Sequence, residues 1–262
     1  MRRRAAAGLL LAVAWAGSGR AETPVDLELV LAVDVSGSMD SDEQQLQRSG
    51  YVAAITRPEV LGAIRTGIYG RVAVSYVEWA GPAAQSVTIP WRLIEDAATA
   101  ESFAAELADA PFARIRGTSI SGGLEFAARQ FDGNGYEGLR RVIDISGDGP
   151  NNMGGPVVPA RDAVLARGIV INGLPILIRP SMWGGRVLAG LDNYYTDCVI
   201  GGPGSFVLPV QAPEHLAEAI RQKLLLEIAG AEPRVVLAQG MGREKVDCMI
   251  GERMWRGWYS DP

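Results

Sequence analysis

The chain has 262 residues, of which 48% are hydrophobic and 21% charged, the balance of a globular protein long enough to bury a substantial core. Its formal charge of −5 argues against nucleic-acid binding, which needs a basic face. His215 is the only histidine, which leaves little from which to build a His-rich zinc site or a Ser-His triad.

Residues 1–21 read as a secretory signal peptide. Arg2-Arg3-Arg4 forms the positive start, Ala5 to Ala16 the apolar stretch, and Gly19 and Ala21 the small residues before a cut between Ala21 and Glu22. The apolar run is short for a membrane span, so the mature chain is expected to have none and to work in the periplasm or outside the cell. In an oxidising compartment Cys198 and Cys248, the only cysteines, are expected to pair; two free buried thiols are the alternative. A bridge closing about 50 residues would stabilise by roughly 4 kcal/mol on chain-entropy grounds. It would tether a C-terminal tail, 233–262, to a main domain over 22–232.

Within that domain, Val25 to Val35 is an apolar, β-branched run that predicts a strand buried on both faces. Acids at Asp40, Asp42 and Glu43 suit a helix start, and Leu46, Tyr51, Val52 and Ile55 give the helix Glu43 to Arg57 an inward face. Glu59 to Arg65 adds a helical turn, and Arg71 to Trp79 a second strand. Gln85 to Leu93 alternates as an antiparallel edge strand does. Helices follow at Thr99 to Ala110 and Ile120 to Phe131, then a strand at Arg140 to Ser146 and a helix at Pro159 to Arg167. Ile169 to Ile178 reads as a strand, Ser181 to Leu191 as a short helix, and Tyr194 to Ile200 and Ser205 to Val210 as extended. In Glu214 to Ala229 Leu216, Ile220, Leu224 and Ile228 recur every fourth residue, predicting a helix with Glu and Lys on its outer face. Strands alternating with helices predict an α/β, doubly wound fold: a mostly parallel central sheet with one antiparallel edge strand.

Three polar pieces stand out against this pattern. Asp34-Val35-Ser36-Gly37-Ser38 ends the first strand, Gly117-Thr118-Ser119 precedes a helix, and Asp148-Gly149 ends another strand. In a doubly wound sheet all three loops can open on the edge where ligands bind. Together they offer two carboxylates and three hydroxyls, a hard oxygen set suited to Mg²⁺, Mn²⁺ or Ca²⁺. The same residue types also make turns and helix caps in an inert domain.

These pieces resemble the metal-ion-dependent adhesion site of von Willebrand factor A domains: a D-x-S-x-S strand end, a Thr in a Gly-Thr loop, and an Asp before Gly. Asp34, Ser36, Ser38, Thr118 and Asp148 match in order, and the resemblance spans about Val25 to Ala229. It is nearest to a secreted bacterial branch catalogued as a domain of unknown function. It implies a Rossmann-type fold and a divalent cation, Mg²⁺ first, held by those five residues. Two departures are visible: Ser146-Gly147-Asp148-Gly149 stands where Thr-Asp-Gly is usual, and the tail bearing Cys248 lies beyond the generic domain.

The expected function is that of an exported binding module, not an enzyme, which recruits an Asp or Glu carboxylate of another protein through the metal. A metal-dependent hydrolase or phosphatase with Asp34 as nucleophile is the competing reading, weakened by Ser36 where aspartyl-phosphate enzymes carry a second Asp. A structural envelope protein with an inactive site is the third. Asp144, inside an apolar strand, needs a partner, with Arg140, Arg141 or the metal loop as candidates. Glu78 is expected to support the site or meet solvent, His215 to be exposed, and Trp183, Trp255 and Trp258 to serve packing rather than a partner surface.

Overall fold

The computed structural model describes residues 21–178, 182–183, 186–187, 190–230 and 245–259. Residues 1–20 of the expected leader and 233–244 of the tail lie outside them. Strand β1 (Thr23–Val25) breaks from β2 (Leu27–Asp34) at Asp26, whose carboxylate accepts the amide protons of Tyr69 and Arg71. The single strand expected there is therefore two. Then come α1 (Ser41–Ile55), α2 (Pro58–Arg65), β3 (Val72–Trp79), β4 (Gln85–Ile94), α3 (Ala97–Asp109) and α4 (Ile120–Arg129). Next are β5 (Tyr136–Gly138), β6 (Arg141–Gly147), α5 (Val157–Ala166) and β7 (Val170–Pro175).

The central sheet has the order β4-β3-β2-β6-β7 and is parallel except for β3 with β4. Every residue of β2 is buried, because alternate side chains enter two separate cores. Leu27, Leu29, Leu31 and Val33 pack with α1, α2, α3 and the late helix α7 (Leu216–Ala229). Val30 and Ala32 pack with α4, α5 and the segment Leu191–Val199. The doubly wound architecture expected from the alternation of elements is what forms, with the loop-bearing strand β2 at its centre.

Four segments depart from expectation. Across Ser181–Leu191, Met182–Trp183 (β8) and Arg186–Val187 (β9) pair antiparallel and Leu191 opens a later helix, while 181, 184–185 and 188–189 lie outside the described residues. Tyr194–Ile200 is not extended: α6 (Leu191–Tyr194) runs into a wide helical turn over Tyr195–Val199. Tyr194 with Cys198, and Tyr195 with Val199, recur four apart and are all buried, so packing overrides the strand preference of these residue types. Lys223 and Glu227 of α7 are not on an outer face but 1% and 2% exposed. Finally, the tail carries a helix that the sequence did not suggest, α8 (Ile250–Tyr259), joined to the body by the Cys198–Cys248 disulfide. Among the described residues no helix is long and apolar enough to cross a membrane.

Candidate metal centre

The carboxyl end of β2 delivers Asp34 into a fully buried position, and the chain then turns so that the Ser36 amide donates to Asp34 Oδ1 at 2.7 Å. Ser36 and Ser38 hydroxyls lie 2.9 Å apart, and Ser38 Oγ donates to Asp148 Oδ1 at 2.7 Å. One hydrogen-bonded chain thus joins the loop after β2 to the loop after β6. Asp40 then caps α1 in a reciprocal box with Glu43, so the helix begins at Ser41, two residues before the expected start.

Thr118 reaches the same place from a third loop. Its amide donates to Asn152 Oδ1 (3.1 Å), and its carbonyl accepts from the amides of Asn152 and Met153. Gly117 before it has φ +93°, and a Cβ there would lie 2.4 Å from Met153 Sδ, so only glycine fits this crossing. Asn151 extends the brace: its Oδ1 accepts from the Ser121 amide, and its Nδ2 donates to Gly155 O and to Glu252 Oε1 of α8. On the other flank, Arg48 forms a buried ion pair with Glu78 at 2.7 Å and donates to the carbonyls of Ala110 and Pro111. It also lies over the Phe112 ring. Glu78 is therefore neither solvated nor at the metal loop directly; with Arg48 it anchors the start of the Thr118 loop.

The electrostatics of the cluster are unbalanced. Asp34 Oδ2 is buried without a hydrogen-bond partner among the described residues. Burial, and then the charge of Asp148, hold the Asp34 carboxyl well above the usual carboxylate range, against the hydrogen bonds from Ser36 and from the Asp148 amide. Tyr195 stands nearby with its hydroxyl also unpartnered among the described residues. A Cβ on Gly147 would meet Asp34 Oδ2 at 2.8 Å and the Tyr195 hydroxyl at 2.9 Å. That explains the Gly of Ser146-Gly147-Asp148-Gly149: its bare Cα lets strand end, carboxylate and tyrosine crowd together. Ser146 faces inward instead, accepting from Gln47 Nε2 at 2.7 Å.

All five residues singled out in the sequence, Asp34, Ser36, Ser38, Thr118 and Asp148, come to the same edge of the sheet. They form an all-oxygen set, and among the described residues Asp34 Oδ2 has no hydrogen-bond partner; these are properties a divalent cation would satisfy. Among the described residues no three His, Cys, Asp or Glu side chains converge. His215 is exposed at the start of α7, as expected.

Asp144 is paired, but not with Arg140 or Arg141. Those arginines donate to Ile228 O and Arg167 O, and Lys223 Nζ lies 2.8 Å from Asp144 Oδ1. Lys223 also pairs with Glu227 at 2.5 Å, and Asn172 Nδ2 donates to Glu227 at 3.2 Å. The tail was the larger omission: Trp255 of α8 lines a cavity beside Ser38 and Thr118. The side chains of Trp183 and Trp258 lie outside the described residues. Asn151 and Asn152 could have been suspected from the run Asp148-Gly149-Pro150-Asn151-Asn152; nothing local marks Tyr195 or Trp255.

No curated protein matches the chain in sequence. Among solved structures, proximal thread matrix protein 1 from the mussel byssus superposes with a TM-score of 0.58 at 16% identity, covering 79% of this chain and 49% of that one. A second structure of the mussel protein, TM-score 0.54, has zinc in its adhesion-site motif. The pilus adhesin SpaC of Lactobacillus rhamnosus GG gives 0.57 at 14% identity, over 78% of this chain and 31% of that one. A von Willebrand factor type A protein from Catenulispora acidiphila gives 0.50 at 17%, over 78% and 43%. The chain thus spans half or less of each of these relatives, which share its fold. Residues 24–232 match the family described as protein of unknown function (DUF1194), and the chain belongs to that family, built on a von Willebrand factor A fold.

Proposed function

We propose that the chain is a non-enzymatic binding module that holds a divalent cation and, through it, recruits an acidic side chain of a partner protein. The observation that carries this reading is the buried, unpartnered Oδ2 of Asp34 beside two hydroxyls and a second carboxylate. Asp34, Ser36, Ser38, Thr118 and Asp148 would hold the ion. Mg²⁺ suits the all-oxygen set first, with Mn²⁺ and Ca²⁺ of the same class. The zinc in the mussel protein's motif adds a fourth candidate. When bound, the cation would supply a Lewis-acidic position open to an incoming carboxylate. Against an enzyme, the cluster offers no imidazole to activate either serine, and the Ser38 hydroxyl is engaged with the Asp148 carboxylate. Export fits the module, since Cys198 and Cys248 form a disulfide that an oxidising compartment preserves.

Calorimetric titration of the EDTA-stripped protein with Mg²⁺, Mn²⁺ and Zn²⁺ tests it directly. One saturable site, lost in Asp34→Ala, is expected. No heat and no melting shift with any of the three ions would overturn the reading.

A further inference from the structure

Beside the metal-site hydroxyls lies a cavity of about 540 Å³, the size of an ordinary small-ligand site. Ser38 and Thr118 form one wall, so the cavity is continuous with the candidate metal centre. Arg114, Ile115 and Arg116, from the loop before Thr118, form a second, and Trp255 of the tail helix closes the third. The lining carries two arginines and no carboxylate among the described residues, on a chain whose overall charge is −5. Neither arginine has an acidic partner among the described residues, so both guanidinium charges are open to an acidic ligand.

The loop bearing these arginines is held in place. Ile115 donates its amide to Val35 O, Arg114 Nη2 donates to Gly37 O at 2.9 Å, and Arg48 clamps the chain at Ala110 and Pro111. The tail helix is fixed by the disulfide and by Asn151 on Glu252. A pre-formed groove with an aromatic wall, unpaired guanidinium groups and a metal-site mouth is matched by one kind of occupant. We infer that the partner presents an acidic peptide segment with two carboxylates, one for the metal centre and a second for Arg114 and Arg116, its chain passing along Trp255. Guanidinium groups favour carboxylates through paired N–H donors, and their exposure keeps each contact modest.

This inference rests on the metal-binding reading, and the experiment separates the two. The full chain, loaded with Mn²⁺, is titrated with acetyl-Asp-amide, acetyl-Asp-Gly-Asp-amide and acetyl-Asp-Gly-Gly-Asp-amide at low and high salt. At least one two-carboxylate peptide should bind about fivefold tighter than the single aspartate, an advantage that shrinks with salt. Arg116→Gln should remove that advantage, as should the Arg114→Gln/Arg116→Gln pair, with Mn²⁺ binding measured on each variant to show that the metal loop is intact. If Mn²⁺ binds but no two-carboxylate peptide gains, or the gain survives in the double variant, the groove inference falls and the metal reading stands. If Mn²⁺ does not bind the parent chain, both fall.

Discussion

Asp34 and Asp144 are both fully buried carboxylates, on the neighbouring strands β2 and β6, and the protein treats them in opposite ways. Burial raises the pKa of each. Asp144 sits in mid-strand under α7, where Lys223 supplies a cation at 2.8 Å and Glu227 and Asn172 complete a polar knot. Asp34 sits one residue from the loop, and its strongest charged neighbour is another carboxylate, Asp148. A buried charge compensated from within is architecture. One left beside a second carboxylate is, on the proposed reading, where an external cation would contribute, and that contrast separates the two better than exposure does.

The largest effect is expected on the compensated side. Lys223→Met removes the only cation of the knot and leaves two buried acids, which should cost about 3–5 kcal/mol, read from denaturant unfolding. A variant as stable as the parent would mean that the knot's carboxyls are already neutral, and the contrast with Asp34 would lose its footing. On the uncompensated side the sign reverses. Asp34→Asn keeps the acceptor for the Ser36 amide while removing the charge, so the metal-free variant should melt at the parent's temperature or above it. Saturating cation, at about 100 times its dissociation constant, should stabilise the parent by about 2.7 kcal/mol, roughly 5–10 °C, and Asp34→Asn not at all.

The difference between the two aspartates also shows what the sequence could disclose. The D-x-S-x-S run, Gly117-Thr118 and Asp148-Gly149 are each contiguous and each end or begin an element, so alternation of strands and helices was enough to bring them to one edge. Asp144 could be recognised as needing a partner, but not which one. Lys223 lies 79 positions on, in a helix whose four-residue apolar spacing gave no sign that an adjacent Lys and Glu also point inward. Tyr195 was missed for a similar reason: aromatic and β-branched neighbours suggested a strand, and only the packing around Cys198 makes them a helical turn. The tail helix is the extreme case. Its sequence, Ile250-Gly251-Glu252-Arg253-Met254-Trp255, is a short run of mixed apolar, charged and glycine residues, and its place beside the site comes from a disulfide and from Asn151, both contacts across distant sequence.

The smallest expected effect tests whether the knot is as closed as its geometry indicates. Burial, and then the charge of Asp144, raise Glu227 to about 7, against the opposing pull of Lys223 and Asn172. Arg140 and the Tyr51 hydroxyl also feel its charge. The folded chain therefore holds a proton that the unfolded chain has already released between about pH 4.5 and 7. Stability contributed by that proton is fully present below the lower value and is lost as pH rises through the upper one. Lys223, raised by the same two acids, stays charged across this window and adds no slope. In the Asp34→Asn background, which removes one of the other raised buried acids, melting should therefore fall from pH 5 to 7.5, with Glu227 contributing at most about 1.4 kcal/mol per pH unit for its one proton. Glu227→Gln should flatten it. If the slope survives that change, the proton belongs to another raised buried acid, Asp144 first, since two acids sharing one lysine titrate as a pair, with Glu28 and Glu78 the others. Asp144 would then be closer to Asp34 than the ion pair with Lys223 implies, and the distinction would rest on which carboxyl can exchange its proton for a metal.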